Sequence, residues 1–244
     1  LSLPAPELNA EQSLDDTFAA LAWHLLGSSQ RLAEQYRFNG HWRLLNDWFE
    51  QLVYLRALLG SLGQAAPRAS SSELRQLLDA MLNDWRPRLQ AGQDDEAVRK
   101  AAPEVFAEEL KQTRWGLFSL NLSRWLLARS WTATRNNRGN RQGAAPLGNW
   151  LPTLLAEEGQ ALLLKRYQQQ PEDLAEQMPR IERLLAWLKL ARGVLDVAEV
   201  DRLYGELIKF YALAASPISE EVLADRQTQA IALNSLKPWR QLVK

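Results

Sequence analysis

Apolar residues along this chain recur with the period of an α-helix in nearly every segment. Trp48, Leu52, Leu55 and Leu59, for example, repeat at spacings of four, three and four. Residues at these spacings lie on one face of a helix. Period-two alternation is nearly absent, and Val and Ile are sparse relative to Leu and Ala. The pattern predicts an all-α helical bundle.

Prolines and turn-forming residues divide this pattern into seven or eight helices. The Asn39-Gly40 turn separates the first helix, which begins near Ser13, from the second. Pro87 is expected to end the third helix, because proline disfavours a helical predecessor, and Pro103 is expected to open the fourth. The predicted helices after the Asn39-Gly40 turn span residues 41–62, 70–86, 103–131, 151–167, 171–192, 196–215 and 217 onward.

The least regular stretch, residues 132–146, is rich in Gly, Asn and Arg. Such composition predicts a loop, which divides the chain into two helical halves or is a mobile loop within one domain. We take it as a boundary, with a linker at 1–12, a first half at 13–131 and a second half at 147–244. Because the first residue is Leu, we also expect the chain to be part of a longer product.

Composition excludes several classes of function. The 244 residues contain no Cys and only two His, which argues against disulfide scaffolds, thiolate metal sites and His-dependent catalysis. Phosphate-binding loops, dinucleotide fingerprints and hydrolase motifs are absent. No apolar run is long enough to span a membrane. We expect no catalytic residue, metal or cofactor, and a cytoplasmic location.

Charge is balanced overall, at 29 basic against 29 acidic residues, but it is distributed unevenly. No Asp or Glu occurs between Glu109 and Glu157, which indicates an anion-binding surface because guanidinium groups bind phosphate in a bidentate manner. The alternative is a solvated segment whose arginines pair with acidic neighbours such as Asp94, Asp95, Glu108 and Glu109. The basic residues of this acid-free middle are Lys111, Arg114, Arg124, Arg129, Arg135, Arg138 and Arg141.

Part of this region has the spacing of a single helical stripe. Its central members are predicted to be core, and its cationic ends to lie where the core meets solvent. Most of the ten tryptophans likewise have core spacing, so core filling explains them better than a stacking platform. The stripe consists of Lys111, Trp115, Phe118, Leu122, Trp125 and Arg129.

Three segments, at 52–81, 121–131 and 178–196, resemble the CHAD domain, the helical module that follows the CYTH triphosphatase domain in bacterial inorganic triphosphatases. The first reads LVYLRALLGSLGQAAPRASSSELRQLLDAM, the second NLSRWLLARSW and the third MPRIERLLAWLKLARGVLD. The likeness covers most of the chain in the family's order. It implies two four-helix halves related by a pseudo-twofold axis, a basic surface that binds inorganic polyphosphate, and a CYTH domain before this chain.

The family's two basic helices are only partly matched. In the first, Arg56 aligns with the last arginine of His-x-x-Arg-x-x-x-Arg-Arg-x-Arg, while the other positions hold Asn46, Phe49, Val53 and Tyr54. In the second, Arg180 is retained, Arg183 lies nearby, and Gln177, Leu184 and Trp187 replace the remaining His, Lys and Arg. Polyphosphate affinity is a sum over many contacts, so these replacements weaken it.

Two hypotheses follow. In the first, the chain is an accessory domain that binds polyphosphate or a related polyanion and assists an attached triphosphatase. In the second, it is a structural or protein-docking module that has lost its ligand. Neither implies membrane insertion or sequence-specific nucleic-acid binding. The predicted anion-binding residues are Arg56, Arg68, Arg75, Arg180 and Arg183, supplemented by Lys111, Arg114, Arg129, Arg135, Arg138 and Arg141.

Overall fold

A computed structural model of the chain describes residues 4–162, 178–215 and 224–225. Within these residues the chain is all-α, as predicted, with one isolated bridge between Ser13 and Pro146. The helices are α1 (Leu14–Asn39), α2 (Trp42–Ser61), α3 (Ser72–Asp94), α4 (Glu96–Lys111), α5 (Thr113–Leu127), α6 (Asn137–Ala144), α7 (Leu147–Leu162), α8 (Met178–Leu190) and α9 (Val197–Ala215). Short 3₁₀ turns occupy Arg68–Ser71, Ser130–Thr132 and Arg192–Val194.

The described chain forms two compact units. The first comprises residues 4–6 and 15–144, and the second comprises residues 7–14 and the described residues from 145 onward. The first unit therefore contains α1 to α6, which is more than the four helices that the sequence predicted. The pseudo-twofold relation between two halves stays a prediction, and the helix starts expected at Pro171 and Pro217 fall on residues that the structure does not describe.

Three prolines that were expected to bound helices lie inside them instead: Pro87, Pro103 and Pro152, the last because α7 begins at Leu147 and not near residue 151. α3 continues through Pro87 to Asp94, and the residues beyond the proline include the buried Leu89 and Gly92. A proline within a helix costs about 3 kcal/mol, which burial of the following turns can offset. α4 begins before Pro103, at Glu96, because the Asp95 carboxylate accepts a hydrogen bond from Ala97 N at 2.8 Å and caps the helix.

The predicted helix from 103 to 131 is two helices, and the predicted loop is partly helical. Gln112 has extended backbone angles and separates α4 from α5. Within the loop predicted at 132–146, residues 137–144 form α6. The loop prediction from local composition was wrong for these residues. Gly139 and Gly143 are buried, and their lack of a side chain allows α6 to pack closely on neighbouring segments.

The core of the first unit is aromatic. Trp48 packs edge-to-face against Trp85, Phe106 and Trp115, with ring centroids 4.9 to 5.8 Å apart. A second cluster, formed by Phe18, Trp125 and Trp131, lies near the start of α1 and the end of α5. These contacts confirm that most tryptophans fill the core, as their helical spacing predicted.

The second unit is described through α7, α8 and α9. Trp150 on α7 contacts Trp187 on α8 at 5.1 Å, and α8 also packs on α9. The segment before α1 joins this unit through backbone hydrogen bonds: Leu147 N donates to the Gln12 carbonyl and Gly148 N to the Ala10 carbonyl, both at 2.8 Å. Part of the predicted linker at 1–12 therefore has fixed partners.

Candidate anion-binding surface

The acid-free middle of the sequence folds against the connection between α2 and α3. The Ala65 N–H donates to Gln142 Oε1 on α6 at 3.0 Å, and Trp125 Nε1 on α5 donates to the Ser70 carbonyl at 2.9 Å. Gly139 of α6 lies so close to the Gln64 carbonyl that a Cβ there would approach it to less than 3.0 Å. Segments 62–71 and 128–144 therefore form one continuous surface.

We call this surface the basic corner. Segments 62–71 and 128–144 contain five arginines and no Asp or Glu. The only carboxylates that pair with these arginines among the described residues come from the first turn of α1, Asp15 and Asp16. The sequence predicted these arginines as anion-binding residues, but it did not identify Asp15 and Asp16 as their partners. The arginines are Arg68, Arg129, Arg135, Arg138 and Arg141.

Arg135 is a structural arginine. Its Nη1 donates to Asp15 Oδ1 at 2.8 Å and its Nη2 to Asp15 Oδ2 at 2.7 Å, and only 9% of its side chain is exposed. Trp131 Nε1 donates to the same carboxylate at 3.0 Å. Gly143 leaves room for this pair, since a Cβ there would collide with both side chains. Burial and the bidentate pair with Asp15 therefore make Arg135 a poor candidate for the anion binding that the sequence predicted.

Arg129 takes part in a weaker pair. It is the one non-glycine residue with positive φ among the described residues, at 47°, and this left-handed conformation turns the chain after α5. Its guanidinium pairs with Asp16, lies 5.7 Å from the centre of the Trp131 ring, and is nearly half exposed. An exposed pair of this kind contributes at most about 1 kcal/mol, so an incoming anion can compete for Arg129.

The remaining arginines of the basic corner have no partner in the part of the chain that the structure describes. Arg68, Arg138 and Arg141 are exposed, and none of their guanidinium groups forms a hydrogen bond or ion pair with a described residue. Arg138 and Arg141 are three residues apart on α6, so they lie on the same face of that helix. Arg68 lies in the connection that α6 contacts. Three positive charges here face solvent without a compensating carboxylate among the described residues.

The arginines at the family-motif positions have carboxylate partners. Arg56 Nε donates to Asp79 Oδ1 at 2.6 Å. In the second unit, Glu158 accepts from Arg180 Nε at 2.9 Å and from Arg183 Nη2 at 3.0 Å, and its side chain is only 17% exposed. We call Arg56, Arg180 and Arg183 the paired motif arginines.

Arg75 and Lys111 also have partners close in sequence. Arg75 donates to Ser71 Oγ at 2.8 Å and to the Leu59 carbonyl at 2.6 Å, which satisfies a carbonyl in the last turn of α2. Lys111 pairs with Glu108 at 2.7 Å on the surface of α4. Lys111 and Arg129 lie outside α5, so the predicted helical stripe retains only its buried centre of Trp115, Phe118, Leu122 and Trp125.

Arg114 belongs to a partly buried network at the turn between α4 and α5. Its Nε donates to Glu109 Oε1 at 3.0 Å, and it also pairs with Asp84 at 2.6 Å. Glu109 is 5% exposed and accepts a further hydrogen bond from Trp85 Nε1 at 3.1 Å. The hydrogen bond to Glu109, followed by that to Asp84, outweighs burial and raises the pKa of Arg114 above its usual value. The predicted pairing of an arginine with a neighbouring acid is correct for Glu109, whereas Glu108 pairs with Lys111.

The described residues contain no cluster of three or more His, Asp or Glu side chains that could hold a metal ion. None of the helices in the described part of the chain has the length and apolar character needed to cross a bilayer. The basic corner is therefore the strongest candidate for ligand contact through charge. No protein-family model matches the chain, and no curated protein is significantly similar to it.

Proposed function

We propose that this chain is a CHAD-type helical accessory domain that binds inorganic polyphosphate or a related polyanion through the basic corner and assists an attached triphosphatase domain. The observation that supports the binding site is the set of exposed guanidinium groups of Arg68, Arg138 and Arg141, which have no carboxylate partner among the described residues. The family assignment and the triphosphatase partner rest on the sequence resemblance.

Electrostatics favours the basic corner over the paired motif arginines as the binding site. An arginine already bonded to a carboxylate must lose that partner before it can bind phosphate, whereas Arg138 and Arg141 lose only solvent. Polyphosphate carries repeated charges along a flexible chain, so it can contact several separated guanidinium groups at once. The same domain would raise the local concentration of oligophosphate near a tethered catalytic domain.

The test is titration of the chain with medium-chain polyphosphate at several salt concentrations. By analogy with single-stranded nucleic acids, each neutralised phosphate adds about 0.7 to the slope of log affinity against log salt. The triple variant Arg68→Ala, Arg138→Ala, Arg141→Ala is expected to lower that slope by about two and to weaken binding at low salt at least tenfold.

A matched control removes three arginines from the opposite end of the first unit. Arg37→Ala, Arg43→Ala, Arg99→Ala changes the net charge equally, and α2 separates the two ends by about 30 Å. This control is expected to retain most of the affinity. Equal weakening by both triple variants would mean that net charge alone attracts the polyanion, and no binding at low salt would refute the proposed function.

A second candidate function, protein docking, is supported by the pairing of the motif arginines. Arg56 pairs with Asp79, and Arg180 and Arg183 share the single carboxylate of Glu158. A further feature is the exposed apolar face of α5, where Leu120 is 57% and Leu127 76% exposed. If this function is correct, the chain binds a separately produced CYTH-type triphosphatase domain and does not bind polyphosphate. The double variant Leu120→Asp, Leu127→Asp is then expected to abolish the association between the two domains.

A further inference from the structure

A cavity of about 170 Å³ lies in the first unit at the end remote from the basic corner. α3 and α4 form its walls, and the first residue of α2 contributes an indole ring. The lining is apolar except for a single guanidinium group. The lining residues are Trp42, Trp85, Arg88, Val98, Ala101, Ala102 and Val105.

Small residues at helical spacing create this space. On α4, Val98, Ala101 and Val105 share one face at spacings of three and four, and none of them reaches far across the gap. On α3, Gly92 allows the Trp42 ring to lie against the backbone, since a Cβ at that position would approach the ring to less than 3.0 Å. The cavity therefore follows from the sequence of three helices.

Trp85 gives the cavity a rigid wall. Its Nε1 donates to the buried Glu109 carboxylate at 3.1 Å, and its ring packs edge-to-face on Trp48 and Phe106 at 5.8 and 5.5 Å. Because its N–H is hydrogen-bonded and its ring is packed against two aromatic rings, the Trp85 side chain does not have to move when a ligand binds. A preformed wall of this kind lowers the entropic cost of binding.

Arg88 supplies the charge. Its guanidinium lies 6.0 Å from the centre of the Trp85 ring, and it forms no ion pair with a described carboxylate. The occupant that best satisfies this arrangement has an apolar body and an anionic end. Size restricts the body, because an apolar cavity of about 150 Å³ accepts one benzene ring.

We propose that this cavity binds a small aromatic carboxylate, with a single ring between Trp42 and Trp85 and its carboxylate on Arg88. The site is separate from the basic corner, which lies near the other end of α2, and it does not depend on polyanion binding. It adds a small-molecule site to a chain whose proposed ligand is a polymer.

The test uses 4-fluorophenylacetate as the probe, titrated against the full chain and observed by fluorine NMR. We expect one saturable site. Arg88→Ala should weaken binding roughly tenfold, the effect of losing one charge-assisted hydrogen bond. The neutral probe 4-fluorophenylacetamide should bind more weakly to the unmodified chain and should not respond to Arg88→Ala.

Two further variants make the test specific. Arg86 lies on the same helix with its guanidinium 5.5 Å from the Phe49 ring, but it does not line the cavity, so Arg86→Ala should leave the affinity unchanged. Ala101 is exposed on α4, so Ala101→Leu should fill the cavity without unfolding the chain and should abolish binding. Absence of saturable binding, equal weakening by Arg88→Ala and Arg86→Ala, or full affinity in Ala101→Leu would overturn the proposal.

Discussion

Two groups of arginines in this chain have the same chemistry but opposite electrostatic environments. The paired motif arginines are held by Asp79 and Glu158, while Arg68, Arg138 and Arg141 of the basic corner lie exposed without a described carboxylate partner. The difference depends on what each side chain meets after folding. We therefore expect an arginine without an acidic neighbour to bind an anion more readily than one that already has a carboxylate partner.

The basic corner shows the same contrast within seven residues. Arg135 is 9% exposed and bonded through both terminal nitrogens to Asp15, whereas Arg138 and Arg141 are exposed. Asp15 comes from α1, 120 residues earlier in the chain. One distant carboxylate thus separates a structural arginine from two that are available to a ligand.

The largest effect is expected from breaking the Arg135–Asp15 pair. Asp15→Asn retains the shape of the side chain but leaves a buried guanidinium without its counter-charge, which is expected to lower the free energy of unfolding by about 3 kcal/mol. Urea denaturation followed by circular dichroism measures the loss. The matched control is Asp16→Asn, whose partner Arg129 is half exposed, and it should cost less than about 1 kcal/mol. Equal losses would show that burial does not distinguish the two pairs.

A smaller effect is expected when a paired motif arginine is released. Asp79 is about half exposed, so Asp79→Asn should change stability by less than about 1 kcal/mol while freeing Arg56. Polyphosphate affinity should then rise about threefold, since one more guanidinium can contribute a phosphate contact.

The control for that gain is Glu96→Gln, which makes the same change in net charge where Lys100 pairs with an exposed glutamate on α4. It should leave the polyphosphate affinity nearly unchanged. If both substitutions raised the affinity equally, the gain would come from net charge, and the distinction between the two groups of arginines would not hold.

The smallest expected effect is a change of fold stability with pH. It does not involve either group of arginines. Arginine keeps its charge across the working range, so neither group changes. Burial lowers the pKa of His24 from 6.5, so the unfolded state binds a proton more readily than the folded state does. Stability contributed by neutral His24 is present above pH 6.5 and is lost as the pH falls through this value towards the lower folded-state pKa.

The variant His24→Gln is therefore expected to flatten the fall in unfolding free energy below pH 6.5. His41→Gln, at the exposed N-cap position of α2, controls for the loss of an imidazole. Denaturation midpoints measured across this range provide the comparison. An unchanged slope in His24→Gln would exclude this histidine as its source.

The helical class and much of the core could be predicted from local pattern, because the period of apolar residues is a property of each segment. The spacing from Trp115 to Trp125 correctly indicated the buried face of α5. The continuation of α3 through Pro87 could not be predicted locally, since packing of the residues beyond it outweighs the usual effect of proline. The start of α4 ahead of Pro103 does have a local signal, the Asp95 cap.

What the sequence by itself determined is the all-α class, the aromatic core and an acid-free, arginine-rich middle. Only the tertiary structure decided which of those arginines are neutralised, because Asp15 and Asp16 reach them from the other end of the first unit's sequence. It likewise decided that Trp42, Trp85 and Arg88 meet at one cavity. Periodicity is encoded between neighbours along the chain, whereas charge compensation and cavity shape depend on contacts between distant residues.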